Sequence, residues 1–434
     1  MAHKQEIKDY SEFTQRRKAF AQKVKDQYKD LESPARIILF AGFEDDRTPF
    51  RQDSSFYYLT GIEEPGTVLM MDLEGNSILF YPNCYEARSK WMRTPPELDP
   101  ENAYLLGMEQ VTPLGKECAG FSLHPFFGRE EYEALLDLLI ETIEDGGAIM
   151  TLFPKSGPAY SQQRLLLERL QRFVPGIQES IIDVSPILES LRRKKSMRDL
   201  ERLYQAIDIT IMAQEAAAQT IKPGVTEAEV RASLEYIMIG SGARVGFPTI
   251  VASGKNSVTL HHYASTDVIQ DGDLVVVDIG ADFDYYNADI TRTYPASGSF
   301  TDRQKEIYNL VLETQEYIAN TAKPGMWIKN PKEPQKSLHD LAKKYLDDRG
   351  YGQYFNHGIG HFLGMDVHDV GDYTKPLQEG DVITIEPGIY IADEKLGVRI
   401  EDDYWITKDG AICLSEHLPK TAEEIEQMVQ QTFE

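Results

Sequence analysis

The feature that most constrains this chain is a stretch that occurs twice. QDGDLVVVDIG (270–280) and QEGDVITIEPG (378–388) each combine a polar glycine turn, a short β-branched strand and a carboxylate five residues beyond the turn's second acid. A further acid follows each in another strand-like run: Asp289 in ADITRTY and Glu401 in GVRIEDDYWIT. Folding alone does not call for acids among apolar strand residues, because a buried carboxylate is costly unless a positive group neutralises it. No lysine lies beside these four acids. The least costly positive partner for four converging carboxylates is then a metal ion.

The 434 residues leave room for two or three domains and a sizeable core. With 45 Lys and Arg against 70 Asp and Glu, the formal charge of −25 argues against nucleic acid or an anionic membrane surface as a partner. Cys84, Cys118 and Cys413 are too few and too scattered for a disulfide framework or a zinc pattern. A reducing compartment, the cytoplasm, is expected. The start, MAHKQEIKDYSEF, has no apolar signal region, and no apolar run reaches the length of a membrane span.

Along the chain, 12–30 carries a charged helical pattern with Phe13, Phe20 and Val24 as its apolar face. Strand-like runs follow at 36–40, 67–71 and 77–81, and the aromatic-rich FRQDSSFYYLTG (50–61) between the first two reads as core packing plus an interdomain face. Helical patterns at 132–140 and 161–173, with a strand around 149–153, complete an expected α/β domain over 1–182. The run LRRKK (191–195) reads as a solvated connection. A second α/β domain is expected over 190–434, with helices outside and two related antiparallel hairpins within. Its helix starts are marked by capping boxes at Ser196/Asp199, Thr226/Glu229, Thr301/Gln304 and Thr421/Glu424. The segment 322–336 reads as a loop rich in Pro and Lys.

Within the second domain, Asp278 and Asp289 are eleven residues apart, and Glu386 and Glu401 fifteen. Inward-facing residues on neighbouring antiparallel strands approach closely enough to share an ion. His361 comes from NHGIGHFLG, where glycines let the backbone come close and hold the imidazole inward. Four carboxylates and one imidazole suit Mn²⁺ first, with Co²⁺, Zn²⁺ or Fe²⁺ as alternatives. Four carboxylates exceed the need of one ion and point to a metal pair about 3.5–4 Å apart. His261, His262 and His368 stand at comparable distances before the strand acids, whereas His3, His124, His339 and His417 have no such context.

The segments around Leu260–Tyr263, DGDLVVVDIG…ADITRT, HGIGHFLGMDVHD, TIEPGIY and VRIEDD occur in this order in the pita-bread metallopeptidases. That family includes aminopeptidase P, prolidase, creatinase and methionine aminopeptidase. The chain most resembles a bacterial-type aminopeptidase P, and FRQDSSFYYLTGIEEPG resembles the first domain of aminopeptidase P and prolidase. The resemblance implies a creatinase-like α/β domain followed by a pita-bread domain with an internal pseudo-two-fold repeat. It implies two divalent ions, Mn²⁺ for preference, on Asp278, Asp289, His361, Glu386 and Glu401. It implies a supporting shell of His261, His357, His368 and Arg399, the three histidines binding substrate. Where the family has one His before Tyr this chain has two; spacing to Asn256 and Asp278 selects His261. The implied reaction is hydrolysis of the bond before a penultimate proline by water activated between the ions. In it, Glu386 moves the proton, His368 donates to the carbonyl oxygen, and Arg399 orients acids. Partners are then peptides with proline second and further copies of the chain, as a dimer or tetramer. Alternatives are a prolidase acting on Xaa-Pro dipeptides, or an inactive binding module on the same fold.

Overall fold

The β-branched and aromatic runs form strands and the capped periodic segments form helices, in two compact units, Met1–Arg192 and Arg193–Glu434. The computed structural model describes residues 8–31, 34–44, 47–92, 98–118, 128–153 and 160–430; His3 and His124 lie outside them. Among the described residues, no helix is long and apolar enough to cross a membrane.

The first unit contains α1 (Ser11–Gln27), β1 (Ala35–Phe40), α2 (Ser54–Thr60), β2 (Val68–Met71), β3 (Ser77–Tyr81) and α3 (Tyr85–Ser89). It continues through β4 (Gln110–Pro113), α4 (Glu133–Glu144), β5 (Ala148–Thr151), α5 (Ser161–Leu170), β6 (Ile181–Asp183) and α6 (Ser185–Arg193), which reaches the boundary. Its mixed sheet has the order β4-β3-β2-β1-β5-β6. Ile38, Phe40, Val68 and Met70 of the sheet bury against Leu135, Leu136 and Leu139 of α4 and Leu166, Leu167 and Leu170 of α5. Each such side chain contributes about 1.5–3 kcal/mol by leaving water. The aromatic stretch forms α2, buried throughout, with Asp53 accepting from the Phe56 N–H as its N-cap.

The second unit opens with α7 (Met197–Thr220), α8 (Glu227–Gly240), β7 (Arg244–Val245) and β8 (Ile250–Ser253). The first repeat then runs β9 (Leu274–Ile279), β10 (Ala281–Phe283), β11 (Tyr286–Asn287) and β12 (Ile290–Pro295). After α9 (Asp302–Thr321) and α10 (Leu338–Asp347), the second runs β13 (Val382–Ile385), β14 (Gly388–Ile391), β15 (Leu396–Arg399) and β16 (Asp402–Thr407). β17 (Gly410–Cys413) and α11 (Ala422–Gln430) complete the unit. The capping boxes form at Ser196/Asp199, Thr226/Glu229 and Thr301/Gln304, and Thr421 and Glu424 exchange the same bonds.

The repeat is built differently from two simple hairpins. β9 pairs with β12 while β10 and β11 form a hairpin between them; likewise β13 pairs with β16 around the hairpin β14–β15. The loop thrown out by each long pair is thus itself a hairpin. A buried glutamine stitches each half. Gln214 of α7 donates to the carbonyls of Val277 and Ile290, and Gln315 of α9 to those of Ile385 and Ile400. Every one of these carbonyls belongs to a residue adjoining one of the four repeated acids.

The 191–195 run is largely buried, contrary to the reading from its charge, and of its four basic residues Lys194 alone is exposed. Arg192 and Arg193 are buried, and Lys195 donates to Asp369 at 2.8 Å with both side chains at most 2% exposed. Arg193 forms a two-pronged pair with Asp381 at 2.6 and 2.7 Å and lies over the Phe362 ring. The acids that neutralise the run are 174 and 188 positions away, beyond any local pattern. Lys195→Met is expected to lower stability by about 3–5 kcal/mol, since it leaves Asp369 buried without its ammonium. Adding Asp369→Asn is expected to recover most of that loss. Denaturant unfolding checks this; an unchanged midpoint for Lys195→Met would contradict it.

Candidate metal centre

Strand register places the first pair of acids. β8, β9 and β12 lie side by side, so Ile250, Asp278 and Thr291 form one row on one face. Asp289 immediately precedes β12, and its N–H donates to Asp403 Oδ2 at 3.2 Å. In the second half Glu386 directly follows β13 and its N–H donates to the Ile359 carbonyl. The glycine-rich segment runs along the free edge of β13, where Thr384 N–H donates to the His361 carbonyl. A Cβ on Gly360 would stand 2.0 Å from the Thr384 carbonyl oxygen, so only glycine allows this approach. Glu401 lies between β15 and β16, tied by its N–H to the Thr291 carbonyl and by its own carbonyl to Arg292.

These elements converge on one cavity of about 510 Å³. Its lining includes Asp278, Asp289, His361, Glu386 and Glu401, together with His261, His357, His368 and Arg399. Phe247, Pro248, Ile250, Leu260 and Val367 give it an apolar wall. His361 Nε2 lies 3.3 Å from Asp289 Oδ2 and 3.8 Å from Glu386 Oε1. Arg399 Nη2 donates to Asp278 Oδ2 at 2.7 Å, its Nη1 to the Tyr390 hydroxyl at 3.0 Å and its Nε to Thr291 Oγ1 at 3.2 Å. Thr291 Oγ1 in turn donates a hydrogen bond to Glu401 Oε2 at 2.7 Å. His357 joins through Tyr390, 3.0 Å from its Nε2, with Nδ1 held by the Gly358 carbonyl.

The electrostatics are those of a site short of positive charge. Burial, then repulsion from Asp278, holds the Asp289 carboxyl well above its usual range. Burial followed by Asp289 and Glu386 does the same to Glu401. Glu386 is pushed up to about 7, chiefly by burial. Burial and then Arg399 push His357 down to about 3, and burial and then His361 lower His368, so both imidazoles are neutral near pH 7. Burial opposes the Arg399 charge, yet Tyr390 and Asp278 hold its pKa well above the ordinary value. One guanidinium among four carboxylates leaves a deficit of cations.

The donor set fits divalent metal. Asp278 Oδ1 is buried with no hydrogen-bond partner. Ligand atoms of Asp289, His361 and Glu401 lie within 4.8 Å of one another. His361 Nδ1 lies 3.0 Å from the Phe362 carbonyl and donates to it, which leaves the Nε2 lone pair directed among the acids.

All nine residues assigned to the site from the sequence border the cavity. His262 does not; its Nε2 bonds Glu227 instead, at 2.8 Å. Tyr390, Thr291, Asp403 and the two stitching glutamines escaped sequence reasoning. Tyr390 stands inside the TIEPGIY segment and Thr291 two places after Asp289, so strand alternation around the acids was the one available signal.

The model of metallopeptidase family M24 matches residues 201–408, and that of the aminopeptidase P N-terminal domain matches residues 13–116. The Xaa-Pro aminopeptidase of Haemophilus influenzae is 31% identical over 96% of this chain and 97% of its own. The Xaa-Pro dipeptidase of Pyrococcus horikoshii is 43% identical, over 56% of this chain and 67% of its own. Among solved structures, Escherichia coli aminopeptidase P with the inhibitor Pro-Leu aligns with a TM-score of 0.79 at 28% identity, covering 98% of this chain and 99% of that one. Proline aminopeptidase P II from Yersinia pestis aligns with the same score and identity over 97% and 99%. With two mixed α/β units, the second of the pita-bread fold, and a metal-competent carboxylate site, this chain belongs to metallopeptidase family M24 and carries the aminopeptidase P type of N-terminal domain.

Proposed function

We propose that this protein is an Xaa-Pro aminopeptidase that removes the first residue of peptides with proline in second position, using two divalent ions, Mn²⁺ for preference. The observation that carries this reading is the convergence of four carboxylates on one imidazole whose Nε2 faces them. In the proposal Asp278, Asp289, His361, Glu386 and Glu401 hold the ions. When bound, the ions supply Lewis acidity toward the scissile carbonyl and toward water. The remaining work falls to the chain's own side chains.

The bond before proline is a tertiary amide without an N–H and with a fixed φ, so it must be gripped by its carbonyls and rings. The apolar wall of Phe247, Pro248, Ile250 and Leu260 offers a surface for the pyrrolidine ring. Glu386 takes a proton from the attacking water and delivers it to the proline nitrogen as the C–N bond breaks. The products are the free N-terminal amino acid and a peptide that begins with proline. His368, neutral near pH 7, donates to the carbonyl oxygen as negative charge builds on it. His261 and His357 bind peptide groups on either side. Arg399 keeps Asp278 in place directly and Glu401 through Thr291. The three cysteines are all free, which suits a cytoplasmic location.

A dipeptidase activity is the second reading, favoured by the 43% identity to the Pyrococcus horikoshii enzyme over 56% of this chain. A dipeptidase needs a cation to receive the proline carboxylate. Arg399, the one Lys or Arg among the described residues lining the cavity, is engaged by Asp278, Tyr390 and Thr291. The proposal therefore expects kcat/KM to be highest for Ala-Pro-Ala, lower for Ala-Pro and negligible for Ala-Ala-Ala. Preference for Ala-Pro would make the protein a dipeptidase. Equal cutting of Ala-Ala-Ala would sink both readings, and no cleavage at all would leave a binding module.

The role of His368 has its own test. His368→Ala is expected to keep its metal and to lose about 10²–10³ in kcat, the scale of one lost oxyanion donor. Metal content that falls together with the rate would make His368 a ligand or its support instead.

A further inference from the structure

Glu227, in the first turn of α8, is fully buried and takes no part in the site described above. Its carboxylate receives six hydrogen bonds, three on each oxygen. Oε1 accepts from Ser253 N at 2.9 Å, Ser253 Oγ at 2.8 Å and Asn256 Nδ2 at 2.9 Å. Oε2 accepts from His262 Nε2 at 2.8 Å, Ser265 N at 3.0 Å and Ser265 Oγ at 2.7 Å. Burial works against its charge, but the bonds from Asn256, Ser265, Ser253 and His262 bring its pKa down to about 2. A carboxylate so bound is a rigid hub.

All six donors come from 253–265, the last residue of β8 and the stretch after it that carries Leu260, His261 and Tyr263 to the cavity. Tyr263 bridges Ile250, and Ile250 stands opposite Asp278, so these three side chains share the cavity-facing side. His262, the neighbour of Tyr263 in that run, turns to the other side and reaches Glu227. Tyr263 is 56% exposed and His261 is exposed as well, so little else packs this rim in place.

We propose that Glu227 is a positioning residue for the substrate rim, and that His262 is the fastener through which it holds His261 and Tyr263 toward the peptide. The second histidine of the His-His pair thus has a task of its own, opposite in direction to that of its neighbour. The inference rests on the aminopeptidase reading, because the rim it fixes is the one that reading assigns to substrate. A loosened rim has to be ordered again by each bound peptide, which weakens binding without touching the reacting groups.

The test uses the metal-loaded enzyme, Ala-Pro-Ala and three variants. His262→Leu and Glu227→Gln are expected to raise KM about tenfold, with kcat within about threefold of the parent and metal content unchanged. His262→Gln, which keeps a donor for Glu227, is expected to restore most of the affinity. Hydrogen exchange read on the same proteins is expected to quicken across 253–265 in His262→Leu and to stay unchanged in β9 and β13. Unaltered exchange in that segment overturns the inference whatever the substrate proves to be. Unaltered KM, or a loss of kcat and metal along with KM, overturns it too. Quickened exchange in a protein that cleaves no peptide before proline would leave the rim device standing and refute the function proposed for it.

Discussion

Four carboxylates share one cavity with a single guanidinium, and the second unit is arranged around that imbalance. Two carboxylates about 4 Å apart repel by roughly 4 kcal/mol at the effective dielectric of a protein site. Burial first, and this repulsion after it, push the pKa values of Asp289, Glu386 and Glu401 up, toward the protonated form. A chain that merely needed to fold would not accumulate such repulsion at the ends of its best strands. A chain that needs to hold divalent cations must, and it has to keep the acids from moving apart before the cations arrive.

The means of restraint are spread over both repeats. Each acid adjoins a residue whose carbonyl accepts from a buried glutamine, Gln214 in one half and Gln315 in the other. Because these bonds run from long helices to strand ends, the acids are fixed by backbone rather than by side-chain packing alone. Arg399 and Thr291 then link Asp278 of the first half to Glu401 of the second. The two halves are not equivalent at the site: the first supplies Asp278 from within a strand, while the second supplies both of its acids from strand ends. His361 comes from a glycine-bearing edge that lies along β13. Separate elements thus reach the cavity with their own fastenings, which suits a site that must keep its geometry through many turnovers.

Much of this was legible in the sequence because Asp278 lies within a β-branched strand and the other three acids directly beside a strand or between two, where a carboxylate against apolar residues stands out. The capping boxes were legible for a similar reason, since the signal and its partner are three residues apart. The basic run at 191–195 was misread because its partners, Asp369 and Asp381, are distant in sequence, and a charge run without local partners looks solvated. Gln214 and Gln315 left no trace, as a glutamine on a helix is ordinarily a surface residue. His261 was chosen over His262 on its spacing to Asn256 and Asp278, and the structure puts His261 at the cavity and turns His262 to Glu227. Tyr390 and Thr291 were hidden by their ordinariness in strands; their partners, Arg399 and Glu401, come from other elements.

The account stands or falls on the cations. Metal-stripped protein titrated with Mn²⁺ in a calorimeter is predicted to take up two ions per chain. Glu401→Gln, which keeps the size of the side chain and removes its charge, is predicted to weaken that uptake sharply while the fold persists by circular dichroism. A folded chain that binds no divalent ion, or binds it equally well without the Glu401 charge, would contradict the central claim.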